Sequence, residues 1–480
     1  MLLELSQPIY LYLAWFIIAT VMFMIFKLRQ AAWSALFSGW ILLPPAAYPM
    51  IGREGLFPYW IIGGALPSDV WCSKFWIVPV ATLILLCIKN RAFIAGFIPH
   101  WTDFGIVAFC LWPLVQALEV PATEPAGWTA TLYLAGSWGV CWLLGRLFLQ
   151  TRQDVIYFAD VLAKSTLFLI PVAIVEGLSR WRVHTTLLGV HPFAFDGVDR
   201  YLGFRPQALF EHGNQYGIWC AGAAVAGYWL WLIASTESTG TELRSSFLLQ
   251  RRKAAVTAAA LAVMTVASQS AGAIITWFFS VAFLTFPQCF SVIRRLIPAG
   301  LLASALLLAV HISGTVPIRK IVEDTTIGKG TLQVLRASGR GSFAWRVSQD
   351  MKTLPLIRGN FLWGSGKWNW FASAQTRPWG LVLLILGQFG LVSLAAWSIM
   401  VGGKLQSHLV QAARRNSPNA LVFCLLSLFL VDAMLNSFIF TPAMVLAGAI
   451  LHLAPSVGRE NILPNGSNDH VEAEGNAVLP

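Results

Sequence analysis

The chain has 480 residues, of which 57% are hydrophobic and 11% charged, with a net charge of +11 and a mean hydropathy of +0.66. Soluble domains carry about 25% charged residues, so this composition excludes an ordinary soluble fold and predicts an integral membrane protein. The seven cysteines fall mostly inside apolar runs without the paired spacing of metal ligands, which argues against a zinc site or a disulfide framework.

Apolar runs recur along the whole chain, and a helix needs about 20 mostly apolar residues to cross a membrane. They predict an all-α polytopic protein of about thirteen spans, and because several runs are short, about eleven or twelve is also compatible. The predicted spans are 8–26, 31–50, 75–88, 104–120, 127–145, 156–178, 212–234, 254–268, 271–290, 296–312, 379–400, 419–436 and 438–454. They form one membrane domain, residues 1–455, and the polar composition of 456–480 is typical of a disordered tail.

The basic residues predict which loops face the cytoplasm, because short loops rich in lysine and arginine stay on that side. Such loops alternate along the chain, with Lys27 and Arg29 in the first of them. The opposite face then receives 51–74, 121–126, 179–211, 269–270 and 313–378. Only 179–211 and 313–378 are both polar and long enough to carry a site.

Inside the membrane, Asp160 and Lys164 lie four residues apart on one predicted helix. This spacing lets the two charges neutralise each other, so a structural pair is favoured over a proton relay. Asp432 and Asn436 have the same spacing near the outer end of a late span. They are interpreted either as a packing contact between helices or as part of the lining of a site.

A dense polar cluster runs from loop 179–211 into the start of the span at 212–234. Its members are Arg200, Arg205, Glu211, His212, Asn214 and Gln215. Ionisable residues at membrane depth are costly, so a group of them at a helix mouth indicates a water-filled cavity or a charged substrate. Capping of the helix N-terminus is the alternative explanation, since Glu211 suits the helix dipole and Asn214 bonds locally.

The stretch "ASQSAG", residues 267–272, joins two spans with almost no loop. Ser268 and Ser270 offer hydroxyl groups at the outer membrane surface. A plain helix hairpin explains the stretch equally well.

Loop 313–378 carries ten lysines and arginines against three acidic residues, a net charge of +7. Its candidate anion-binding residues are Arg336, Arg340, Arg346, Arg358 and Arg377. Because the guanidinium fork matches phosphate oxygens in pairs, a diphosphate is a plausible target. Solvated surface charges or anchors for lipid headgroups are the alternative. The chain lacks Walker spacing and the common zinc motifs, so neither a nucleotide cofactor nor a metal is predicted.

Three stretches carry a resemblance to a known family: "FEHGNQYG" at 210–217, "SQSAGA" at 268–273, and "GRGSFAWRVSQDMKTLPLIRGNFLWGSG" at 339–366. Over roughly residues 200–400 the chain resembles the O-antigen ligase and polymerase superfamily of bacterial inner-membrane glycan transferases. Its loop commonly shows an arginine, then a tryptophan, then a glycine-bearing stretch. Arg340, Trp345, Gly364 and Gly366 fit this order.

The resemblance implies a glycosyltransferase C-like fold with a long periplasmic loop, in the bacterial inner membrane. It implies a polyprenyl-diphosphate-linked glycan as donor, a saccharide, lipid or protein as acceptor, membrane lipid as surroundings, no nucleic acid and no cofactor. The implied catalytic residues are Glu211, His212 and Arg346. The implied substrate-binding residues are Arg200, Arg205, Asn214, Ser268, Ser270, Arg336, Arg340, Arg358 and Arg377.

One departure from the family bears on the type of reaction. Ligases of the family usually carry a histidine near the end of the long loop, whereas this chain has none between His311 and His408. This favours an exopolysaccharide or O-antigen polymerase, with ligase-type transfer as the alternative. A polysaccharide transporter or flippase and a non-catalytic subunit of an export complex are further alternatives; a transporter would predict internal repeats, which the sequence does not show.

Overall fold

The computed structural model describes residues 6–45, 73–91, 97–188, 199–200, 202–236, 244–286, 288–314, 324–326, 328–330, 333, 341–412 and 417–451. Of these described residues 79% are helical, and they include five helices that are long and apolar enough to cross a membrane, which supports an all-α membrane protein. Those five segments are Trp101–Glu119, Arg152–Ser179, Gly213–Ser235, Leu381–Leu405 and Pro418–Leu435. The tail at 456–480 lies outside the described residues.

The elements follow one another in chain order as helices with one short hairpin. The first half contains α1 (Ser6–Ile25), α2 (Leu28–Leu42), α3 (Lys74–Lys89), α4 (Phe104–Glu119), α5 (Gly127–Leu134), a π-helical turn (Ala135–Gly139), α6 (Val140–Phe148), α7 (Arg152–Leu167), α8 (Leu169–Ser179), α9 (Val183–Leu188), β1 (Asp199–Arg200) and β2 (Gly203–Phe204). The second half contains α10 (Gly213–Thr236), α11 (Arg244–Ala267), α12 (Ala271–Thr285), α13 (Gln288–Ser313), α14 (Gly341–Gly359), α15 (Leu381–Ala412), α16 (Pro418–Leu435) and α17 (Thr441–Gly448). Short 3₁₀ turns lie at Trp101–Asp103 and Ala372–Ala374.

Twelve of the thirteen predicted spans overlap a helix or helices that follow one another directly, and the one at 31–50 extends beyond α2, which ends at Leu42. The five segments above are the described helices that are long and apolar enough to span. The prediction for 438–454 is wrong, because α17 has only 8 residues and a helix of that length covers about 12 Å. Residues 436–440 before it are extended and buried. Irregular backbone is tolerated at membrane depth where protein surrounds it, and hydropathy alone does not distinguish such a segment from a span.

Helix α10 lies at the centre of the bundle and packs against α7, α11, α12 and α16. Trp219 of α10 stacks on Trp40 of α2, with ring centroids 6.2 Å apart. Phe37 and Phe440 meet the same indole edge-on. Buried aromatic rings therefore fix the central helix against α2 and against the extended segment before α17.

Helix α15 is interrupted at Gly390, whose φ of 77° and ψ of −177° are not helical. The segment that follows α14 supplies backbone partners at this break. The amides of Ser365 and Gly366 donate to the carbonyls of Gly387 and Gln388, each at 2.9 Å. The Gln116 side chain adds a hydrogen bond of 2.7 Å to the Gln388 carbonyl. The last part of loop 313–378 is thereby fixed to the bundle.

Polar contacts collect at the two ends of the bundle in the way that the loop charges predict. One end holds Arg29 with Asp154, and Arg146 with Asp103 at 3.1 Å. The other end joins segments predicted on the outer face, for example through the 2.9 Å bond from the Glu124 amide to the Gly366 carbonyl. The predicted pair of Asp160 and Lys164 is present at 2.7 Å on the exposed surface of α7.

Candidate functional site

Glu176, in the last turns of α8, fixes the loop that leads into α10. One carboxylate oxygen accepts hydrogen bonds from the amides of Gln207 at 2.7 Å and Ala208 at 2.8 Å. The other oxygen accepts from the amide of Val183 at 3.1 Å. Sequence analysis missed Glu176, because a single glutamate at the end of an apolar run has no local signature. Its carboxylate accepts hydrogen bonds from three backbone amides and thereby holds the loop in place.

Arg205 crosses this loop inside the protein with only 3% of its surface exposed. Its Nη2 donates to Oδ1 of Asn214 at 2.6 Å, and its Nε donates to the carbonyl of Ser268 at 2.9 Å. Gly213 leaves room for the guanidinium, since a Cβ there would lie 2.7 Å from Cζ of Arg205. Ser270 adds a weak bond of 3.4 Å to Asn214. Four residues that the sequence assigns to substrate binding are thus brought together.

Asn436 connects this group to the long loop. Its Oδ1 accepts from Nδ2 of Asn214 at 3.0 Å and from Nη1 of Arg346 at 2.6 Å. Arg346 also donates to the carbonyl of Leu435 at 3.2 Å, at the end of α16. The Nδ2 of Asn436 donates to Oδ1 of Asp432 at 2.6 Å. We call Arg205, Asn214, Arg346 and Asn436 the arginine–asparagine network.

Trp379 forms an aromatic wall beside Arg346. The guanidinium of Arg377 lies 4.2 Å from the Trp379 ring centroid, and that of Arg346 lies 5.1 Å from it. The Trp379 amide donates to Asp350 at 2.8 Å. Burial raises the pKa of Asp350 to about 6, although the Trp379 amide and the charge of Arg346 oppose the shift. Arg377 therefore joins the network through the shared ring.

Glu211 lies beside the network but faces a different partner. Its carboxylate is fully buried and forms an ion pair of 3.6 Å with Lys74, which is fully buried as well. Burial raises the pKa of Glu211, and the positive charge of Lys74 opposes that shift. Lys74 also donates to the carbonyls of Trp40, Leu43 and Leu209 at 3.1, 3.3 and 2.9 Å. Sequence analysis missed Lys74, because a single lysine before an apolar run resembles an ordinary interfacial residue.

His212 is placed directly at the start of α10. Its Nδ1 accepts a hydrogen bond of 2.9 Å from the amide of Asn214, and its ring stacks on Phe438 with centroids 4.9 Å apart. This is the N-terminal cap that the sequence suggested for Glu211 or Asn214. His212 therefore has a structural role at the helix start while lying next to Asn214.

The remaining candidates lie apart from the network. Arg200 is in β1, where it pairs with Gly203 in a hairpin held by Gln269. Arg358 donates to the carbonyl of Ile312 at 2.5 Å, at the end of α13. Arg336 and Arg340 lie outside the described residues. Of the substrate-binding candidates, Arg205, Asn214, Ser268, Ser270 and Arg377 are therefore collected near Arg346.

The side chains of this site have the chemistry that binding an anion requires. The buried Arg205 and the half-buried Arg346 meet through two neutral amides, and guanidinium groups bind phosphate oxygens strongly where water is excluded. In the part of the chain that the structure covers, no group of three or more histidines, cysteines or carboxylates is arranged to hold a metal ion.

Comparison with known proteins adds no family assignment. No protein-family model, curated protein or solved structure matches the chain.

Proposed function

We propose that the protein is a membrane glycosyltransferase that uses a polyprenyl-diphosphate-linked glycan as donor on the periplasmic face of the bacterial inner membrane. The observation that carries this proposal is the arginine–asparagine network, which, together with Ser268 and Ser270, brings the three stretches of the family resemblance into one site. Arg205 and Asn214 come from the first stretch and its approach, Ser268 and Ser270 from the second, and Arg346 from the third.

Transfer from such a donor needs position and charge more than a cofactor. The leaving group is a diphosphate, and its negative charge grows as the bond to the anomeric carbon breaks. Preorganised donors aimed at developing charge are an effective source of catalysis, most of all in a site closed to water. Arg205 and Arg346 are already held in place by Asn214 and Asn436, so phosphate oxygens would replace amide oxygens as their acceptors.

The lipid part of the donor accounts for the position of this network in the bundle. The network lies where the outer ends of α10, α14 and α16 meet, at the end predicted to face the periplasm. A diphosphate sits at the membrane surface while its polyprenyl chain extends among the spans. On this proposal, the dense polar cluster lies at the start of the apolar helix α10 because the charged diphosphate binds there.

A polymerase is favoured over a ligase. Ligases of the resembled family use a histidine at the end of the long loop, and this chain has Gln375 and Arg377 in that region. Arg377 stacks on Trp379 beside Arg346, which adds a cation where the family has an imidazole. Polymerisation of repeat units for exopolysaccharide or O-antigen is therefore the first reaction to test, with ligase-type transfer second.

The test measures lipid-linked glycans and surface polysaccharide in cells that lack the protein. The cells are complemented with wild type, Arg346→Gln, Arg205→Gln or Lys352→Ala. Lys352 is the matched control, because it is an exposed cation on the same helix as Arg346. We expect the two arginine variants to behave like the deletion and Lys352→Ala like wild type, at equal protein levels.

The species that accumulates separates the possible functions. Single repeat units on the outer leaflet, together with loss of polymer, support a polymerase. Long lipid-linked chains on the outer leaflet mean ligase-type transfer. Units retained on the inner leaflet would contradict transfer and indicate a transporter.

A further inference from the structure

Asp432 presents a carboxylate oxygen that the network does not use. It is 7% exposed and lies in the last turn of α16. Its Oδ1 accepts from Asn436, whereas its Oδ2 is buried and, among the described residues, has no hydrogen-bond partner. A buried, unpartnered carboxylate oxygen is costly, so its retention in a polar site indicates a role for it.

The other carboxylates around the site already have different partners. Glu176 holds three backbone amides, and Glu211 faces Lys74. Asp350 accepts the Trp379 amide on the α14 side of Arg346. Asp432 differs from these three because the side-chain amide of Asn436 connects it directly to Arg346, and Asn214 continues the same chain of hydrogen bonds to Arg205.

We propose that Asp432 is the catalytic base that takes the proton of the acceptor hydroxyl, an inference that rests on the proposed function. In the transfer step the hydroxyl proton moves to Oδ2 of Asp432, and the acceptor oxygen forms its bond to the anomeric carbon. The bond from that carbon to the phosphate oxygen breaks, and its electron pair leaves with the polyprenyl diphosphate. The added negative charge rests on Arg205 and Arg346, and the proton on Asp432 passes to water afterwards.

The contacts of Arg346 also explain why Oδ2 of Asp432 is buried in this structure. Arg346 lies across the end of α16, on the Leu435 carbonyl and on Asn436 Oδ1. When a phosphate replaces these acceptors, Arg346 leaves the end of α16, and the acceptor hydroxyl gains a route to Asp432. Donor binding thus precedes exposure of the base, which limits loss of the activated sugar to water.

The experiment compares wild type with Asp432→Asn in purified protein, with lipid-linked donor extracted from the deletion strain. The asparagine retains an Oδ1 acceptor for Asn436 and removes only the basic oxygen. We expect kcat to fall by about 10²-fold to 10⁴-fold, with little change in KM for the donor. Asp199→Asn is the matched control, since Asp199 is a carboxylate at the same end that pairs with Arg180 at 3.4 Å.

Sodium azide distinguishes a base from a structural carboxylate. Azide is a nucleophile without a proton to lose, so its nitrogen can bond to the anomeric carbon while the diphosphate leaves. We expect azide to restore donor consumption by Asp432→Asn, with a glycosyl azide as product, and to have little effect on wild type. If Asp432→Asn does not accumulate, Asp432→Ser takes its place, because a hydroxyl can also accept from Asn436.

The outcomes separate this inference from the proposed function. Wild-type turnover by Asp432→Asn, or an inactive variant that azide does not restore, would overturn the role of Asp432 and leave the transferase intact. If wild type itself consumes no donor, the proposed function fails and the inference fails with it.

Discussion

Lys74 is a cation held inside the protein by four acceptors. Removing one member of a buried ion pair typically costs about 3–5 kcal/mol, because the other charge is left uncompensated. Lys74→Met also leaves three carbonyls without their donor, whereas Glu211→Gln leaves those three bonds intact. We therefore expect thermal unfolding of detergent-solubilised protein to shift further for Lys74→Met than for Glu211→Gln.

The control for this prediction is Lys164→Met, which breaks the exposed pair with Asp160. Exposed pairs of this spacing contribute only a few tenths of a kcal/mol, so a shift near zero is expected. Equal shifts in unfolding temperature for Lys74→Met and Lys164→Met would mean that the buried pair does not hold α3 to the loop that leads into α10.

Asp350 gives the outer helix α14 a dependence on pH. Its pKa is about 6 against an ordinary 3.8, raised mainly by burial. The folded protein therefore keeps a proton that the unfolded chain loses between about pH 4 and 6, and stability falls as the pH rises through this window. At pH 7.5, Asp350→Asn should slow hydrogen exchange in α14 relative to wild type, because it raises the free energy of opening by at most about 3 kcal/mol. Near pH 4 the substitution should make little difference. An effect of the same size at both pH values would contradict this assignment.

Single residues were predictable from the sequence only where they stood in a group. Arg205 and Asn214 belong to a visible polar cluster, and the structure joins them. Lys74 and Glu176 are isolated charges in the sequence, and only the fold brings their partners to them. Asn436 was noted beside Asp432, but its contact with Asn214 spans more than two hundred positions and has no local signal.

At the scale of elements, the break in α15 depends on one glycine. Gly390 has a φ of 77° and a ψ of −177°, a region that residues with a Cβ essentially avoid. A Cβ there would also lie 2.5 Å from the carbonyl carbon of Trp363 and 2.6 Å from the amide nitrogen of Gly364. Gly390→Ala is therefore expected to be strongly destabilising or to prevent accumulation of the protein.

Gly402→Ala is the matched control on the same helix. Gly402 has helical geometry, and an added Cβ would meet nothing within 4 Å. Replacing a helical glycine with alanine favours the helix by about 1 kcal/mol, so thermal unfolding should occur at the same or a higher temperature. Similar loss of both variants would show that α15 tolerates no change, rather than that the break needs glycine.

Hydropathy predicted the helices well, and its failures share one physical cause. It reports whether a segment avoids water, which is true both of a span and of an extended segment buried in protein. Residues 438–440 and most of the short α17 are apolar and buried, so they resembled a span. The break at Gly390 was likewise hidden within an apolar run, because its backbone partners come from the segment after α14.

Across the whole molecule, the arrangement of charges separates two ends. The network and α14 lie at one end, and the contact of Arg29 with Asp154 lies at the other. Loop charges predict that the second of these ends faces the cytoplasm, since positive charge in short loops is retained there. The +7 charge of loop 313–378 is compatible with the predicted outer end, because loops of such length escape that rule.

The compartment of each end can be tested with a reagent that does not cross the membrane. Lys352 on α14 and Gln153 on α7 are both exposed and lie at opposite ends. In intact cells with a permeabilised outer membrane, an impermeant maleimide should label Lys352→Cys and should label Gln153→Cys only after lysis. The unsubstituted chain is the blank, and its Cys87, Cys110, Cys141, Cys220 and Cys424 are buried or half-buried. If Gln153→Cys alone were labelled before lysis, the orientation of the protein in the membrane would be the reverse of the predicted one, with the network on the cytoplasmic side. The donor would then have to bind before its transfer across the membrane, and a periplasmic transferase would no longer fit.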